Sequence, residues 1–539
     1  MSKRTRKIVL LVTAAACLAA WPVFAAQSTY PQGEFVASIA ASLPDWRPHR
    51  AYNADEAQIL TALYEGLFAY DPYNLDPLPA LAESWTVSKD GLLWTFKIRE
   101  NARFSDGSPI TADTFRASWL NLLDPAINAP YASLLDYIVG AESFRSGINA
   151  DAASVGIKAV DELTLTVSLV APAQHLPKIL CHHAFSAVAP VDLARAREAR
   201  VSPDWIPLSS GPFTVQSIDD TVIRLVKNPN YWDADKVALP SVKLVLDKDA
   251  KTLTDRFNTG EIHWLAGAMS IDKVLDPQSI HLTPMFSTEY FFFRSTWGPW
   301  NDPRIRNALL DAVPWDEFRS DYLIKATTLV FPIAGYPEIA GINKQDTEGA
   351  KKLLAEAGYA DMATMPPLVI RIPESETYNK LAGILKAAWE KIGFTVEIWA
   401  EDYSEYYSSL RSDDYSLGVT SWIGDFADPL TFLELFRPHS SLNDSGWDNP
   451  AYEKILEDAA AIKTVKDRYA KLAEAEKILL EEGVILPLSH NPALNVIDTD
   501  GIGGWYPNAL DIHPFKFIRF TPKKALPGFA MAVSSVGDL

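Results

Sequence analysis

Cysteine is nearly absent. The 539-residue chain has two, Cys17 and Cys181, so at most one intrachain disulfide is possible and none if Cys17 leaves with a leader. A disulfide-stapled scaffold is excluded, and the fold must be held by the size of its cores. No apolar run reaches the ~20 residues that a membrane-spanning helix needs. No Gly is followed by Lys, which excludes a phosphate-binding loop, and Gly-x-Ser-x-Gly, His-Glu-x-x-His and Cys-x-x-Cys are all missing. Gly501-Ile-Gly-Gly reads as a turn rather than a dinucleotide fingerprint. Basic residues are also short, 49 Lys and Arg against 68 Asp and Glu. Such a surface repels phosphate backbones and anionic lipid, so nucleic acid and membrane surfaces are poor partners and a cationic ligand is favoured over an anionic one.

What is present is length and aromatic surface. A single core stops growing near ~250 to 300 residues, so two or three lobes are expected. The 24 Phe, 20 Tyr and 16 Trp exceed what cores require, and amphipathic rings are the side chains that line concave ligand sites. The N-terminus carries an address: SKRTRK is basic, residues 8 to 20 are apolar, and Pro22 precedes Val23-Phe24-Ala25-Ala26. This is the three-part form of a secretory signal, with cleavage expected near Ala25 and an exported, periplasmic product. Lipidation at Cys17 is the alternative, although Ala14-Ala15-Ala16 makes a poor lipobox. Without the four basic residues of that leader, 68 acids face 45 bases.

Periodicity divides the chain in two. In the first half Trp94, Phe96 and Ile98 alternate with polar residues, as do Leu163, Leu165, Val167 and Leu169, which predicts half-buried strands. Between them Thr111 is placed to cap a helix carrying Phe115, Trp119 and Leu122 on one stripe. Residues 222 to 228 and 241 to 246 add further strands. In the second half Thr347 is expected to cap a helix that Gly358 ends. A strand at 368–372, a helix through Leu381, Leu385, Ala388 and Ile392 stopped by Gly393, and a strand at 394–400 form a βαβ unit with parallel pairing. A short helix at 403–411, a strand at 415–420, helices beyond 450 and at 467–481, and a strand segment at 484–497 follow. Ligands of open α/β sheets bind beyond the carboxyl ends of the strands. Ser421-Trp422-Ile423-Gly424-Asp425 is delivered to that edge, and its alternative reading is a Trp packing a loop and an Asp capping the next helix. Cys181-His182-His183 lacks a second ligand pair and, read as strand, points its side chains to opposite faces. A structural role is expected, with no metal or cofactor.

Several segments occur in the order found in the family 5 solute-binding proteins of ABC importers, the oligopeptide- and dipeptide-binding proteins. Tyr64-Glu-Gly-Leu, Pro79-Ala-Leu-Ala-Glu-Ser-Trp, Trp94-Thr-Phe-Lys-Ile-Arg and Phe104-Ser-Asp-Gly-Ser-Pro-Ile-Thr-Ala-Asp resemble that family's opening. Gly211-Pro-Phe, Asn228-Pro-Asn-Tyr-Trp, Asn301-Asp-Pro-Arg-Ile-Arg-Asn-Ala-Leu and Lys351-Lys-Leu-Leu-Ala-Glu-Ala-Gly-Tyr continue the series. The resemblance runs from about residue 34 to about 520. It implies an α/β, type II periplasmic-binding-protein-like fold of three lobes with a hinged ligand cleft. Lobe I would combine 26–70, 206–286 and 504–539, lobe II would be 71–205, and lobe III 287–503. It further implies a monomeric, non-enzymatic receptor that captures peptides and delivers them to a membrane permease. By the same resemblance Asp425 would hold the ligand's α-ammonium beside Trp422, and Tyr403 and Tyr131 would line the cleft, core packing being the rival role for both tyrosines. Departures bear on ligand length and on recognition of the ligand's far end. Ser287 and Ile423 stand where some relatives have a cysteine pair, Val419 replaces a cleft arginine, and Ala266-Gly267-Ala268 replaces Tyr-Asn-Asn.

Two rivals share the composition. Another solute (an oligosaccharide, haem or a nickel chelate) would use the aromatic cleft, but a sugar has no need of an anionic anchor. A secreted glycosidase needs two carboxylates facing each other across the cleft. The leader reading predicts that N-terminal sequencing of the exported protein starts near residue 26, with no lipid mass on the chain; a product starting at a lipidated Cys17 would overturn it.

Overall fold

The computed structural model describes residues 33–39, 43–198, 202, 205–412 and 414–522, so the leader and Cys17 lie outside the described residues. Its frame is three sheets. The first has seven strands in the order Ile280–Pro284, Pro492–Ile497, Trp264–Leu265, Glu34–Ser38, Ser241–Val245, Val222–Lys227 and Phe213–Ile218. Glu34–Ser38 runs parallel to both neighbours and the remaining pairs are antiparallel. Phe35, Leu225, Val242, Leu244, Trp264 and Ile497 are buried on it, drawn from segments up to several hundred residues apart.

The second sheet is a local antiparallel one of four strands, Ala82–Val87, Leu93–Ile98, Thr164–Ser168 and Ile157–Ala159. The predicted alternation holds: Trp94, Phe96, Ile98, Leu165 and Val167 are buried while Lys97 is exposed. The helix Ala112–Leu122 packs Phe115, Trp119 and Leu122 inward, and the Thr111 hydroxyl accepts from the Thr114 N–H at 3.3 Å.

The third sheet holds Val396–Glu401, Leu368–Pro373, Leu417–Ile423, Ser287–Phe293 and Ile485–Ser489, in that order. The βαβ unit is present: the 368–373 and 396–401 strands pair in parallel, joined by the helix Glu376–Glu390, and Gly393 leaves it at φ 102°. Ser287–Phe293 runs antiparallel to both of its neighbours, so its amino end lies at the same edge as the carboxyl ends of the three parallel strands.

Four expectations are corrected. The helix Thr347–Glu356 is capped by Asp346, not Thr347; the Asp346 carboxylate reaches the Gly349 N–H at 2.8 Å, and Thr347 is the first helical residue. The helix expected at 403–411 is Tyr403–Ser408. The triplet 181–183 is not strand: it leaves the helix Leu176–Ile179 and enters a single 3-10 turn at His183–Phe185. Finally, 484–497 is two strands in different sheets, Ile485–Ser489 on the edge of the third and Pro492–Ile497 inside the first. The chain therefore re-enters the first sheet before residue 503.

It crosses between those two sheets twice, at 285–286 and again at 490–491. The crossings lie side by side. The Ser287 hydroxyl donates to the Asn491 carbonyl at 3.1 Å, and His490 Nδ1 is 3.0 Å from the Thr288 hydroxyl and 3.1 Å from the Ser287 carbonyl.

Trp389 anchors the βαβ helix. It is fully buried, near Phe293, and its indole N–H donates to the Leu309 carbonyl at 2.9 Å. Trp389→Ala removes the ring and strands that carbonyl, so it is expected to cost about 3–5 kcal/mol, read as a lower guanidinium midpoint by circular dichroism. A loss below about 1 kcal/mol would show that the helix does not depend on it.

Candidate functional site

The edge of the third sheet carries the candidate residues. In the ladder, Thr288 faces Trp422, Glu289 faces Ser421 and Ser287 faces Ile423. Side chains of a directly opposed pair share a face, so Trp422 and Ser421 point to opposite sides of the sheet. Beyond Ile423 the chain passes so close to its neighbours that only glycine fits. A Cβ on Gly424 would lie 2.6 Å from Phe286 Cδ1 and 2.9 Å from Thr431 Cγ2. The Gly424 N–H donates to the Phe286 carbonyl at 2.8 Å, and the Asp425 N–H to the Thr431 hydroxyl at 2.9 Å.

Asp425 does not cap the following helix Leu430–Leu433; the Asp428 carboxylate accepts the Leu430 N–H instead. The two carboxylates differ in one respect that matters. Asp428 is held by Arg468 at 2.7 and 2.9 Å, which keeps its carboxyl below the usual range despite burial. Asp425 is equally buried and has no such cation. Its Oδ1 lies 3.7 Å from His182 Nε2, and its Oδ2 is buried with no hydrogen-bond partner. Burial pushes the Asp425 carboxyl well above its ordinary 3.8. Burial, then the neighbouring His183, push His182 well below 6.5, so the imidazole is neutral at pH 7 and supplies no balancing charge.

Rings close around this carboxylate. Tyr131 packs on His182 with centroids 4.3 Å apart, and His182 on His183 at 4.1 Å. Tyr52, Tyr131 and Trp422 form a triangle with sides of 6.0, 6.1 and 6.4 Å. The Tyr131 hydroxyl donates to the Tyr52 carbonyl at 3.3 Å, and the Tyr70 hydroxyl to the Asp425 carbonyl at 3.1 Å. The Trp422 indole N–H is buried without an acceptor. Segments far apart in sequence thus meet here: Tyr52 before the helix Ala54–Leu63, Tyr131 and His182 from beside the second sheet, and Trp422 and Asp425 from the end of a third-sheet strand.

Of the four residues expected from sequence, Asp425, Trp422 and Tyr131 are brought together. Tyr403 is not among them. It is 61% exposed on its short helix and packs on Tyr407 with centroids 4.6 Å apart. Tyr52, Tyr70 and His182 were missed as site residues; Tyr70 alternates with Phe68 like any strand residue, His182 belongs to a triplet expected to be structural, and no motif marks Tyr52. Cys181 is buried, its thiol pushed up by burial, and its sulfur lies 3.4 Å from the Pro177 carbonyl. Among the described residues, no group of three or more His, Cys, Asp or Glu is placed to hold a metal ion. Likewise no helix there is long and apolar enough to cross a membrane. Ser287 and Ile423 are direct ladder partners, and Val419 is fully buried.

The sequence model of bacterial extracellular solute-binding proteins, family 5 (middle region), matches residues 76–444, more than half the chain. The chain belongs to that family. This family 5 solute-binding protein is 30% identical over 466 residues to the periplasmic oligopeptide-binding protein OppA of Escherichia coli (strain K12), covering 82% of this chain and 84% of that one. It is 27% identical over 511 residues to the probable deoxycholate-binding periplasmic protein YgiS of the same organism, covering 92% and 95%. Among solved structures it is similar to the Escherichia coli murein tripeptide binding protein MppA, with a TM-score of 0.79 and 27% identity over 91% of this chain and 99% of that chain. The fold is the type II periplasmic-binding-protein fold.

The raised Asp425 carboxyl has a signed consequence for the empty family 5 protein. Its pKa is higher in the buried, lobe-contacting form than in water, so that form binds more protons. Its stabilisation is full below about 3.8 and is lost as pH rises through the raised value. Small-angle scattering of ligand-free protein is expected to show expansion as pH rises through that raised value, and Asp425→Asn is expected to flatten the profile. An equal expansion in the variant would assign it to other groups.

Proposed function

We propose that the protein is an exported substrate-binding protein of an ABC importer, capturing peptides between its lobes and handing them to a membrane permease. In this reading the ligand's α-ammonium sits on Asp425, with Trp422 and Tyr131 packed around it and Tyr403 at the rim. The observation that carries it is the buried Asp425 oxygen with no partner, beside an imidazole that is neutral at pH 7. A carboxylate enclosed without a cation is costly, and an ammonium returns it charge-assisted hydrogen bonds. The relatives support the same chemistry, since they include an oligopeptide-binding protein and a murein tripeptide binding protein.

The remaining parts follow from the same reading. Peptide backbone pairs with strand edges, a source of affinity indifferent to side chains. Lobe III rotates against lobe I about the crossings at 285–286 and 490–491, so that ligand binding and closure are one event. This reading takes the lobe boundaries expected from sequence and moves 492–497, which pairs in the first sheet, to lobe I. The chain acts as a monomer, without catalysis and without a cofactor. The relative YgiS raises a second solute, deoxycholate, whose amphipathic steroid would suit the rings around Tyr131. Its carboxylate would meet Asp425 as a like charge, so the unpartnered oxygen favours the cation.

Isothermal calorimetry compares tri-alanine, N-acetyl-tri-alanine and deoxycholate. Tri-alanine is expected to bind and the acetylated form to lose about 2–5 kcal/mol, with Asp425→Asn losing a similar amount. Equal affinity for free and acetylated peptide would remove Asp425 from this role. Binding of deoxycholate alone would overturn the peptide reading.

A further inference from the structure

A second buried carboxylate lies at the same sheet edge. Glu289 is the third residue of the Ser287–Phe293 strand and is 6% exposed. Its Oε1 accepts from the Tyr378 hydroxyl at 2.7 Å, its Oε2 from Asn491 Nδ2 at 3.4 Å, and Tyr322 also hydrogen-bonds to it. Every one of these donors is neutral. Among the described residues no Lys, Arg or His forms an ion pair with Glu289. Burial accordingly raises its carboxyl above the ordinary value.

Three features make this more than a satisfied core glutamate. Tyr322 and Tyr378 are only half-buried, and Ser421, directly opposite Glu289 in the ladder and on the same face, is exposed, so the carboxylate lies under an opening. The pairing with Ile485–Ser489 shifts register between Glu289 and Tyr290, and such bulges re-aim a side chain beside a site. Tyr378 opens the helix after the 368–373 strand, which places the glutamate's main donor at the carboxyl-end edge where open sheets bind ligands. Asp425 lies four residues beyond Ser421. The strand ends at Ile423, so at about 3.3 Å per extended residue the two carboxylate-bearing positions are separated along the chain direction by at most about 13 Å. An extended peptide covers about 3.3–3.6 Å per residue, so the Cα of its second or third residue lies about 3.5 or 7 Å from an amino terminus at Asp425, and the reach of a lysine side chain, about 6 Å, with that of Glu289 itself, about 4 Å, closes the remaining span.

We infer that Glu289 is a specificity-determining residue, a second cation subsite that selects peptides carrying a lysine or arginine side chain at their second or third position. The inference rests on the peptide reading of the Asp425 site. Its physical basis is the same at both carboxylates: a desolvated anion with only neutral donors gains most from a ligand that brings a positive charge. The chain's acidic excess adds long-range attraction for the same ligands.

Calorimetry on the wild-type protein tests this with tri-alanine, with Ala-Lys-Ala and Ala-Ala-Lys, and with the same two peptides acetylated on the lysine ε-nitrogen. At one of the two positions the free lysine is expected to bind at least ~10-fold more tightly than its acetylated, isosteric counterpart. In Glu289→Gln that preference is expected to vanish while tri-alanine binds as in wild type, a pattern that a merely structural role would not produce. Normal tri-alanine binding with no preference for free lysine at either position, or a preference that survives in Glu289→Gln, overturns the subsite and leaves the Asp425 reading intact. Failure of every peptide, tri-alanine included, overturns both.

Discussion

Everything at the candidate site hangs on the paired crossings between the first and third sheets. One strand leaves the first sheet at Pro284 and enters the third at Ser287; another leaves the third at Ser489 and enters the first at Pro492. Two linkers two residues long, tied by Ser287, Thr288, His490 and Asn491, hold the sheets close while limiting how they can move against each other. They also fix the register. With Ser287 opposite Ile423, the ladder sets Thr288 beside Trp422 and Glu289 beside Ser421. One pairing thereby determines which side chains reach the edge and on which face.

Several buried acids carry their own cation. Glu65, buried where the first and second lobes join, is met by Lys516 at 2.8 Å and by the Tyr231 hydroxyl at 2.5 Å. Glu434 is met by Arg437 at 2.8 Å, and Asp428 by Arg468. These carboxylates brought their cations with them, and burial is compensated inside the chain. Asp425 and Glu289 did not. Both sit at one edge of one sheet, and both are the kind of buried anion that a protein retains at a functional cost to its own stability.

Local periodicity made much of the fold legible. Alternation in 94–98 and 164–168, the stripe of Phe115, Trp119 and Leu122, and the strand-helix-strand rhythm of 368–400 are local signals, and each element formed where its pattern lay. Sequence alone did not reveal where 484–497 divides, because only His490 and Asn491 interrupt the apolar run and Pro492, which follows them, starts a strand as readily as it ends one. The Asp346 cap was missed because Asp and Thr are adjacent and both cap well. At the site, Trp422 and Asp425 were singled out because a strand delivers them to the sheet edge and the family resemblance points to the same two residues. His182 was read as strand, which turned its ring away on paper; the 3-10 turn brings it to Asp425. Tyr52 and Glu289 reach the edge only through tertiary and ladder contacts, and no window of sequence contains both partners of either contact.

The strand order has a mechanical meaning. Ser287–Phe293, which leads out of one crossing, is next to Leu417–Ile423 but three places from Val396–Glu401, the far edge of the sheet. At about 4.8 Å per strand, Trp422 stands one spacing from the pivot and Tyr403 about three. Any swing about the crossings therefore moves Tyr403 roughly three times as far as Trp422. In the proposed closure the sheet acts as a lever with its short arm at Trp422 and its long arm at Tyr403, so small adjustments around Asp425 are amplified into large excursions where the exposed tyrosine sits.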